Sequence, residues 1–231
     1  MLFKESVAIA LTALLSNKLR SILTMLGIII GIAAVIVMIS IGMGVRKNIT
    51  DSIASLGSNM LIVTPNSSNS RGMRAAAGSG KKLKLDDATA IKKRIKNIDY
   101  VAPTVSSSYQ VVNGNENWNT SVYGVTPEYL QIRSLTVTSG SFISQADLDS
   151  RNRVAVIGST VAGNLYGSEN HVGKNIRVNN QPFKVIGVLE KKGQASMGGD
   201  QDDVVLVPLT TAQERLMGIT YIRSINIQVS S

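Results

Sequence analysis

Cysteine is absent from the 231-residue chain. That excludes disulfides, thiolate nucleophiles and cysteine metal sites, and it fits a domain exposed to an oxidising or variable exterior. Histidine occurs once, at His171. No spacing supplies it with a catalytic or metal-binding partner, and a surface loop position is expected for it. No G-x-x-x-x-G-K-[ST] loop is present, so the chain is not expected to hydrolyse ATP itself. Charge is missing altogether from Ser21 to Val45, a run of 25 positions. Together these absences leave no catalytic constellation, no cofactor site and no metal site to predict, and the chain is read as a non-enzyme.

The uncharged run is built from Ile, Leu, Val, Met, Ala and Gly. As a helix it would be about 37 Å long at 1.5 Å per residue, enough to cross a hydrocarbon core of about 30 Å with some tilt. It is too long, and begins too far into the chain, for the apolar region of a signal peptide. A transmembrane helix over 21–45 is therefore predicted. Before it, residues 1–20 read as an amphipathic helix suited to the headgroup plane, with Leu2, Phe3, Val7, Ile9, Ala10, Leu14 and Leu15 as its apolar set. Lys18 and Arg20 at the start of the span favour a cytoplasmic N-terminus, while Arg46 and Lys47 at the far end blur that signal. Within the span Gly27 and Gly31 form a G-x-x-x-G pair. Such a pair lets a second helix approach closely, and glycine is also simply common in membrane helices.

The net charge is +9, and the surplus is local. Residues 46–99 hold eleven basic and four acidic side chains, whereas residues 100–231 hold ten of each. The basic segment has no interleaved aromatics and sits beside a membrane anchor. It is read as a solvated face or a contact with anionic lipid headgroups, and no nucleic-acid partner is expected.

Beyond the span Val45, Ile49, Ile53 and Leu56 recur at helical spacing, which predicts an amphipathic stalk over 46–59 ending near Gly57. Residues 60–231 then form a mixed domain. Met60–Val63 is a strand, 64–82 a mobile polar loop, and Asp86–Asn97 a helix capped by Asp86, with Ala88, Ile91, Ile95 and Ile98 inside. Strands Val101–Val112 and Trp118–Val125 flank the Asn113-Gly114 turn. Thr126-Pro127-Glu128 starts a short helix. Val154–Ile157 is a strand and a short helix begins at Ser159. Asn175–Val178 and Phe183–Leu189 form a hairpin about Asn179-Asn180. Val204–Val207 is a strand, Thr210–Met217 a helix capped by Gly218, and Tyr221–Val229 a last strand. The fold class is α+β and not a repeating βαβ crossover. Phe142, Tyr123, Tyr129, Phe183 and Tyr221 are placed in the core. Trp118 packs under its hairpin or meets a partner. Asp200, Asp202 and Asp203 do not match a calcium loop and are read as a solvated acidic loop rather than a cation site.

Several segments together resemble one known family. Residues 17–31, NKLRSILTMLGIIIG, are similar to the start of the first membrane helix of MacB-type ABC transporter permeases. SVYGVTPEYL at 121–130, RVAVIG at 153–158, VGKNIRV at 172–178, FKVIGVL at 183–189 and QDDVVLVPLTTAQ at 201–213 resemble the MacB-like periplasmic core domain. The resemblance implies a bacterial cytoplasmic (inner) membrane protein with a cytoplasmic N-terminus and an extracytoplasmic domain. It further implies a homodimer, a partner ABC ATPase on a separate or fused subunit, and in many members an adaptor protein outside the membrane. Export of macrolides, peptides or toxins would proceed by mechanical transmission. Three more membrane helices follow the external domain in such permeases. Here the sequence ends at Val229-Ser230-Ser231, which is read as a piece of a longer chain or a truncated protein. The alternative is a membrane-anchored binding or regulatory module of the FtsX-like type without transport.

Overall fold

The computed structural model describes residues 5–7, 9, 12, 16–55, 59–65, 82–167, 171–194 and 199–230. The chain divides into two compact units, residues 1–51 and 52–231.

Glu5–Val7, Ile9, Thr12 and Ser16 are helical, a turn falls at Asn17, and helix α1 spans Lys18–Ser55, all but its last four residues in the first unit. The helix thus starts three residues before the uncharged run and continues well past it. Nothing inside the run ends it: there is no proline, and its four glycines are interior rather than terminal. The hydroxyl of Thr24 donates to the Arg20 and Ser21 carbonyls, each at 3.0 Å. That satisfies this hydroxyl near the start of an apolar surface without a partner helix. Of the stalk positions, Val45, Ile49 and Ile53 lie in α1, and Leu56 lies outside the described residues.

The second unit is built on a nine-stranded mixed sheet. Its strands are β1 (Met60–Val63), β2 (Ile98–Asn113), β3 (Glu116–Val125), β4 (Val137–Gly140), β5 (Val154–Ile157), β6 (Asn175–Val178), β7 (Gln181–Leu189), β8 (Val204–Pro208) and β9 (Ser224–Val229). The order is β1-β9-β2-β3-β8-β5-β7-β4, with β6 pairing both β2 and β7. β3–β8 and β5–β7 are parallel and the other pairs antiparallel. The helical elements are α2 (Leu85–Arg94), α3 (Tyr129–Ile132), α4 (Gln145–Asp149), α5 (Ser159–Tyr166) and α6 (Leu209–Thr211), the last running into a π-helical turn at Ala212–Met217.

The sixteen-residue β2 is the spine. Its first half pairs β9 through Thr104, and its second half pairs β3 from Val105 onward. Pro103 lies just before this change of partner, where the lost N–H donor is tolerated. Buried Asn226 on β9 is satisfied by the Ala102 carbonyl at 3.4 Å and the Thr104 hydroxyl at 3.2 Å. The core fills the alternating inward positions of the strands. Phe183, Ile157, Leu206, Val105 and Ile225 are among its fully enclosed side chains.

Local chemistry sets the turns. Asn179 and Asn180 both have positive φ, 48° and 63°, as a two-residue hairpin loop of the twisted type requires. The β2–β3 connection is shorter than expected: Asn113 pairs Glu116, leaving only Gly114 and Asn115 between them. Gly218 takes the left-handed conformation (φ 61°, ψ 37°) that ends the Ala212–Met217 turn. In α4, Ser144 and Asp147 cap each other, and Asn152 donates to Asp147 at 2.8 Å. Partial burial raises the Asp147 pKa, but the hydrogen bonds from Asn152 and Ser144 together outweigh it and hold the carboxyl below its ordinary value.

Four local expectations are corrected. Helix α2 starts at Leu85. Its N-cap is Lys84, whose N–H donates to Asp87 at 2.7 Å, so the acid that serves the terminus is Asp87 and not Asp86. Ile95 follows that helix and is exposed, and Ile98 belongs to β2. The Thr126 hydroxyl caps nothing. It is buried without a partner among the described residues, and the turn is closed by the Tyr129 N–H on the Thr126 carbonyl at 3.1 Å. The last strand begins at Ser224 rather than Tyr221. Of the expected 64–82 loop, residues 66–81 lie outside the described residues.

Candidate functional site

Two features carry function-bearing geometry, one in each unit. The first is the surface of α1. Residues Lys18–Lys47 form a helix long and apolar enough to cross a membrane; its most apolar stretch has mean hydropathy 3.0 and, among the described residues, none that is buried. A helix apolar all round and buried by nothing of its own needs lipid or other helices as solvent. A Cβ placed at Gly27 or Gly31 would meet nothing within 4 Å. The two glycines therefore mark a shallow, open stretch of one helix face. Val45 and Ile49, at the far end, are about half exposed.

The second is a cleft of about 250 Å³ between α3, the adjoining strands β3 and β8, Lys192, and residues 199–203. Its floor is apolar, with Leu206 and Leu189 buried. Tyr123, Tyr129, Arg133, Lys192, Asp200 and Asp203 contribute its polar groups. The Lys192 ammonium donates to the Arg133 carbonyl at 2.7 Å. Burial pushes the Lys192 pKa down and the Arg133 charge adds to this, while Asp202 and Glu190 oppose it. Burial raises the pKa of the Tyr129 phenol, Arg133 partly offsets that, and Tyr123 adds to it.

Of the three acids expected in a solvated loop, Asp200 is exposed as expected, Asp203 is half-buried and Asp202 is buried, and all three accept hydrogen bonds. Asp202 is only 3% exposed and accepts the backbone N–H groups of Lys192 and Gly193, each at 2.8 Å. Asp200 accepts the Thr160 hydroxyl at 2.6 Å and the Asp202 N–H at 2.9 Å. Asp203 accepts the Trp118 indole N–H at 2.8 Å, which gives the single tryptophan a polar anchor under its hairpin. The carboxylates point to different donors, and no cluster of metal-binding side chains occurs among the described residues.

His171 is corrected too. It is half-buried, its ring edge-on to Tyr166 with centroids 5.2 Å apart, and its Nε2 has no hydrogen-bond partner among the described residues. Phe183 and Tyr129 are core residues as expected, and Tyr123, Phe142 and Tyr221 are partly buried. Lys82 lies 4.2 Å from the Tyr221 ring centre. Sequence reasoning missed Arg133 and Lys192. They are 59 positions apart, on a helix end and in a loop, and no periodicity links them.

Comparison with known proteins agrees with this architecture. The family model of the MacB-like periplasmic core domain matches residues 21–231. A macrolide export ATP-binding/permease protein MacB of Bdellovibrio bacteriovorus is 44% identical over 216 residues, which is 94% of this chain and 33% of that protein. Its namesake in Chlorobium luteolum is 39% identical over 222 residues, 96% of this chain and 33% of that protein. The chain thus spans about a third of the length of the curated relatives it matches. Among solved structures, the periplasmic region of MacB from Actinobacillus actinomycetemcomitans superposes with a TM-score of 0.63 at 29% identity, covering 78% of each chain. The extracellular domain of the noncanonic ABC-type transporter YknZ from Gram-positive bacteria shares the fold, with a TM-score of 0.57 at 21% identity over 65% of this chain and 74% of that one. The apolar helix, the mixed sheet and these matches lead to one conclusion: the chain belongs to the MacB-like periplasmic core domain family and carries, ahead of that domain's sheet, one helix long and apolar enough to cross a membrane.

Proposed function

We propose that this chain is the N-terminal part of a permease subunit that couples ATP hydrolysis on a cytoplasmic ABC ATPase to efflux of macrolides, peptides or similar substrates by mechanical transmission. The N-terminus lies in the cytoplasm, residues 21–45 cross the cytoplasmic membrane, 46–59 form the stalk, and 60–231 work outside. The observation that carries this reading is the unbroken helix Lys18–Ser55. At about 1.5 Å per residue it is longer than a bilayer core is thick, so a tilt at one membrane face reaches the other as a rigid displacement. Two such helices side by side supply the discrete alternative packings that a switch requires. A periplasmic or extracellular adaptor would dock on the external domain.

Isolation of the chain's natural product from native membranes tests the assignment. A partner ATPase is expected to co-purify with it. Recovery without any ATPase would leave the anchored binding or regulatory module of the FtsX-like type as the better account.

Orientation has a direct assay because the chain has no cysteine. Ser108→Cys, outside the helix, is expected to react with an impermeant maleimide on intact spheroplasts. Asn17→Cys should react only after permeabilisation. The reverse pattern would invert the topology.

Gly27 and Gly31 are proposed to line the seam between two copies, with Val45, Ile49, Ile53 and Leu56 packing the stalks. Gly27→Leu with Gly31→Leu fills the shallow face and is expected to lower disulfide crosslinking of a Ser40→Cys variant in membranes several-fold. Unchanged crosslinking would move the seam to another face.

A further inference from the structure

We infer that the cleft between α3, β3 and β8 is a binding site for a small organic oxyanion, a carboxylate or phosphate group on a compact apolar body, held by Arg133 with help from the Tyr129 phenol and the Lys192 ammonium.

Donors and acceptors in the cleft are unequally used. Its acids already have partners: Asp200 accepts from Thr160 and from the Asp202 N–H, and Asp203 accepts from Trp118. The Arg133 guanidinium, by contrast, forms no ion pair and no hydrogen bond among the described residues. Arginine offers five N–H donors in a planar fork that matches a carboxylate or phosphate in two-point fashion. Lys192 is held beside it by the bond of its ammonium to the Arg133 carbonyl. Burial lowers the Lys192 pKa and the Arg133 charge adds to this, while Asp202 and Glu190 oppose it, so an added anion at Arg133 would also favour the charged ammonium. Tyr129 is packed with only 8% of its surface exposed and lines the same cleft, so its ring is held in the cleft wall.

Below these donors the floor is hydrocarbon, from Leu135, Leu189, Val204 and Leu206. The ligand therefore has an anionic head and an apolar body. Its size is bounded. A cavity of about 150 Å³ holds benzene, so 250 Å³ takes a molecule of roughly ten non-hydrogen atoms. Drug-sized ligands occupy about 300–1,000 Å³. A macrolide is far too large to be its ligand.

Trp118 reports on the cleft through its bond to Asp203 and is the only tryptophan. The 231-residue chain in non-ionic detergent is titrated with N-acetyl-leucine, with N-acetyl-leucine amide and with inorganic phosphate, followed by tryptophan fluorescence and by calorimetry. Saturable binding of the carboxylate is expected, with the neutral amide at least about tenfold weaker and Arg133→Gln weakening the acid about tenfold or more. Phosphate binding as well as the acid would point to a phosphate headgroup as the natural source. Acid binding alone would point to a carboxylate. Arg133→Lys, which keeps the charge but loses the fork, should retain part of the affinity and serves if Arg133→Gln fails to fold. No saturable response by either method at millimolar ligand overturns the inference, as does equal binding of acid and amide or an undiminished response in a folded Arg133→Gln chain.

Discussion

Asp202→Ala is expected to lower the melting temperature of the external domain by roughly 6–12 °C, from a loss of about 3 kcal/mol in a domain of this size. The carboxylate is almost fully enclosed, and its two oxygens accept two different backbone donors, Lys192 N–H on Oδ1 and Gly193 N–H on Oδ2. Hydrogen bonds to a charged acceptor contribute more than neutral ones, and each donor stranded without water costs its desolvation energy. Alanine removes both acceptors at once. Asparagine is not a mild substitute, because its amide NH2 would face one of the two N–H groups, and a loss at least half as large is expected. The effect should also spread to the cleft, because the bond to the Lys192 N–H fixes the backbone from which that ammonium reaches Arg133. Circular dichroism melting of the two variants checks the prediction, and a shift under about 2 °C would mean that water already reaches both donors.

The acidic loop also shows what a single sequence carries and what it hides. Three aspartates among glycines have the composition of a solvated loop, and nothing in their spacing reveals that one faces inward. The inward turn arises because the 191–194 segment approaches 200–203, with Gln194 bridging Asp200, and places two backbone donors on one carboxylate. That is a long-range event with no local code. The same limit applies to Trp118, whose indole donor finds Asp203 across 85 positions. It applies again to Arg133 and Lys192, which meet only because α3 and the loop flank the same strands.

Legible features have local causes. The apolar run of α1 is visible because a helix able to cross a bilayer needs about twenty uncharged residues in succession. The strands of the β6–β7 hairpin are visible because two asparagines supply the positive φ that the tight turn demands. Strand boundaries were read to within a few residues at β3, β5, β6 and β8, where apolar and β-branched residues cluster between turn formers. The polarity of pairing was not legible. That β3 lies parallel to β8, 79 positions later, follows from how the sheet closes on its core and from no pattern within either strand. The start of α2 differs from the sequence expectation through a related effect. Asp86 and Asp87 are equally good capping acids by type, and only the turn geometry at Lys84 decides which one accepts the terminal N–H.

Gly158→Ala should be among the most damaging single-methyl additions in the chain, and Gly163→Ala, five residues away, should be harmless or stabilising. Gly158 sits between β5 and α5 in an ordinary extended conformation (φ −74°, ψ 161°), so its backbone angles do not demand glycine. Space does. Its N–H donates to the Val204 carbonyl at 2.8 Å, which draws the β5–α5 corner tightly against the start of β8. A Cβ there would collide with the Asp202 carbonyl oxygen and stand 2.8 Å from the Asp202 carbonyl carbon. Both are backbone atoms, so no side-chain rotation relieves the overlap. Either the Gly158–Val204 bond or the Asp202 acceptor network must open, and a loss of about 3 kcal/mol or more is expected, at the upper end of overpacking costs. Gly163 is an exposed position inside α5 with nothing within 4 Å of a new Cβ. There alanine removes only the entropic cost of glycine in a helix, a gain of about 0.5–1 kcal/mol. Thermal melts of the two variants should therefore move in opposite directions. If both move down together, α5 is more tightly enclosed than its exposed face indicates. If Gly158→Ala melts with the wild type, the β5–α5 corner yields to a methyl group, and the close approach to Asp202 is not what holds the acidic loop in place.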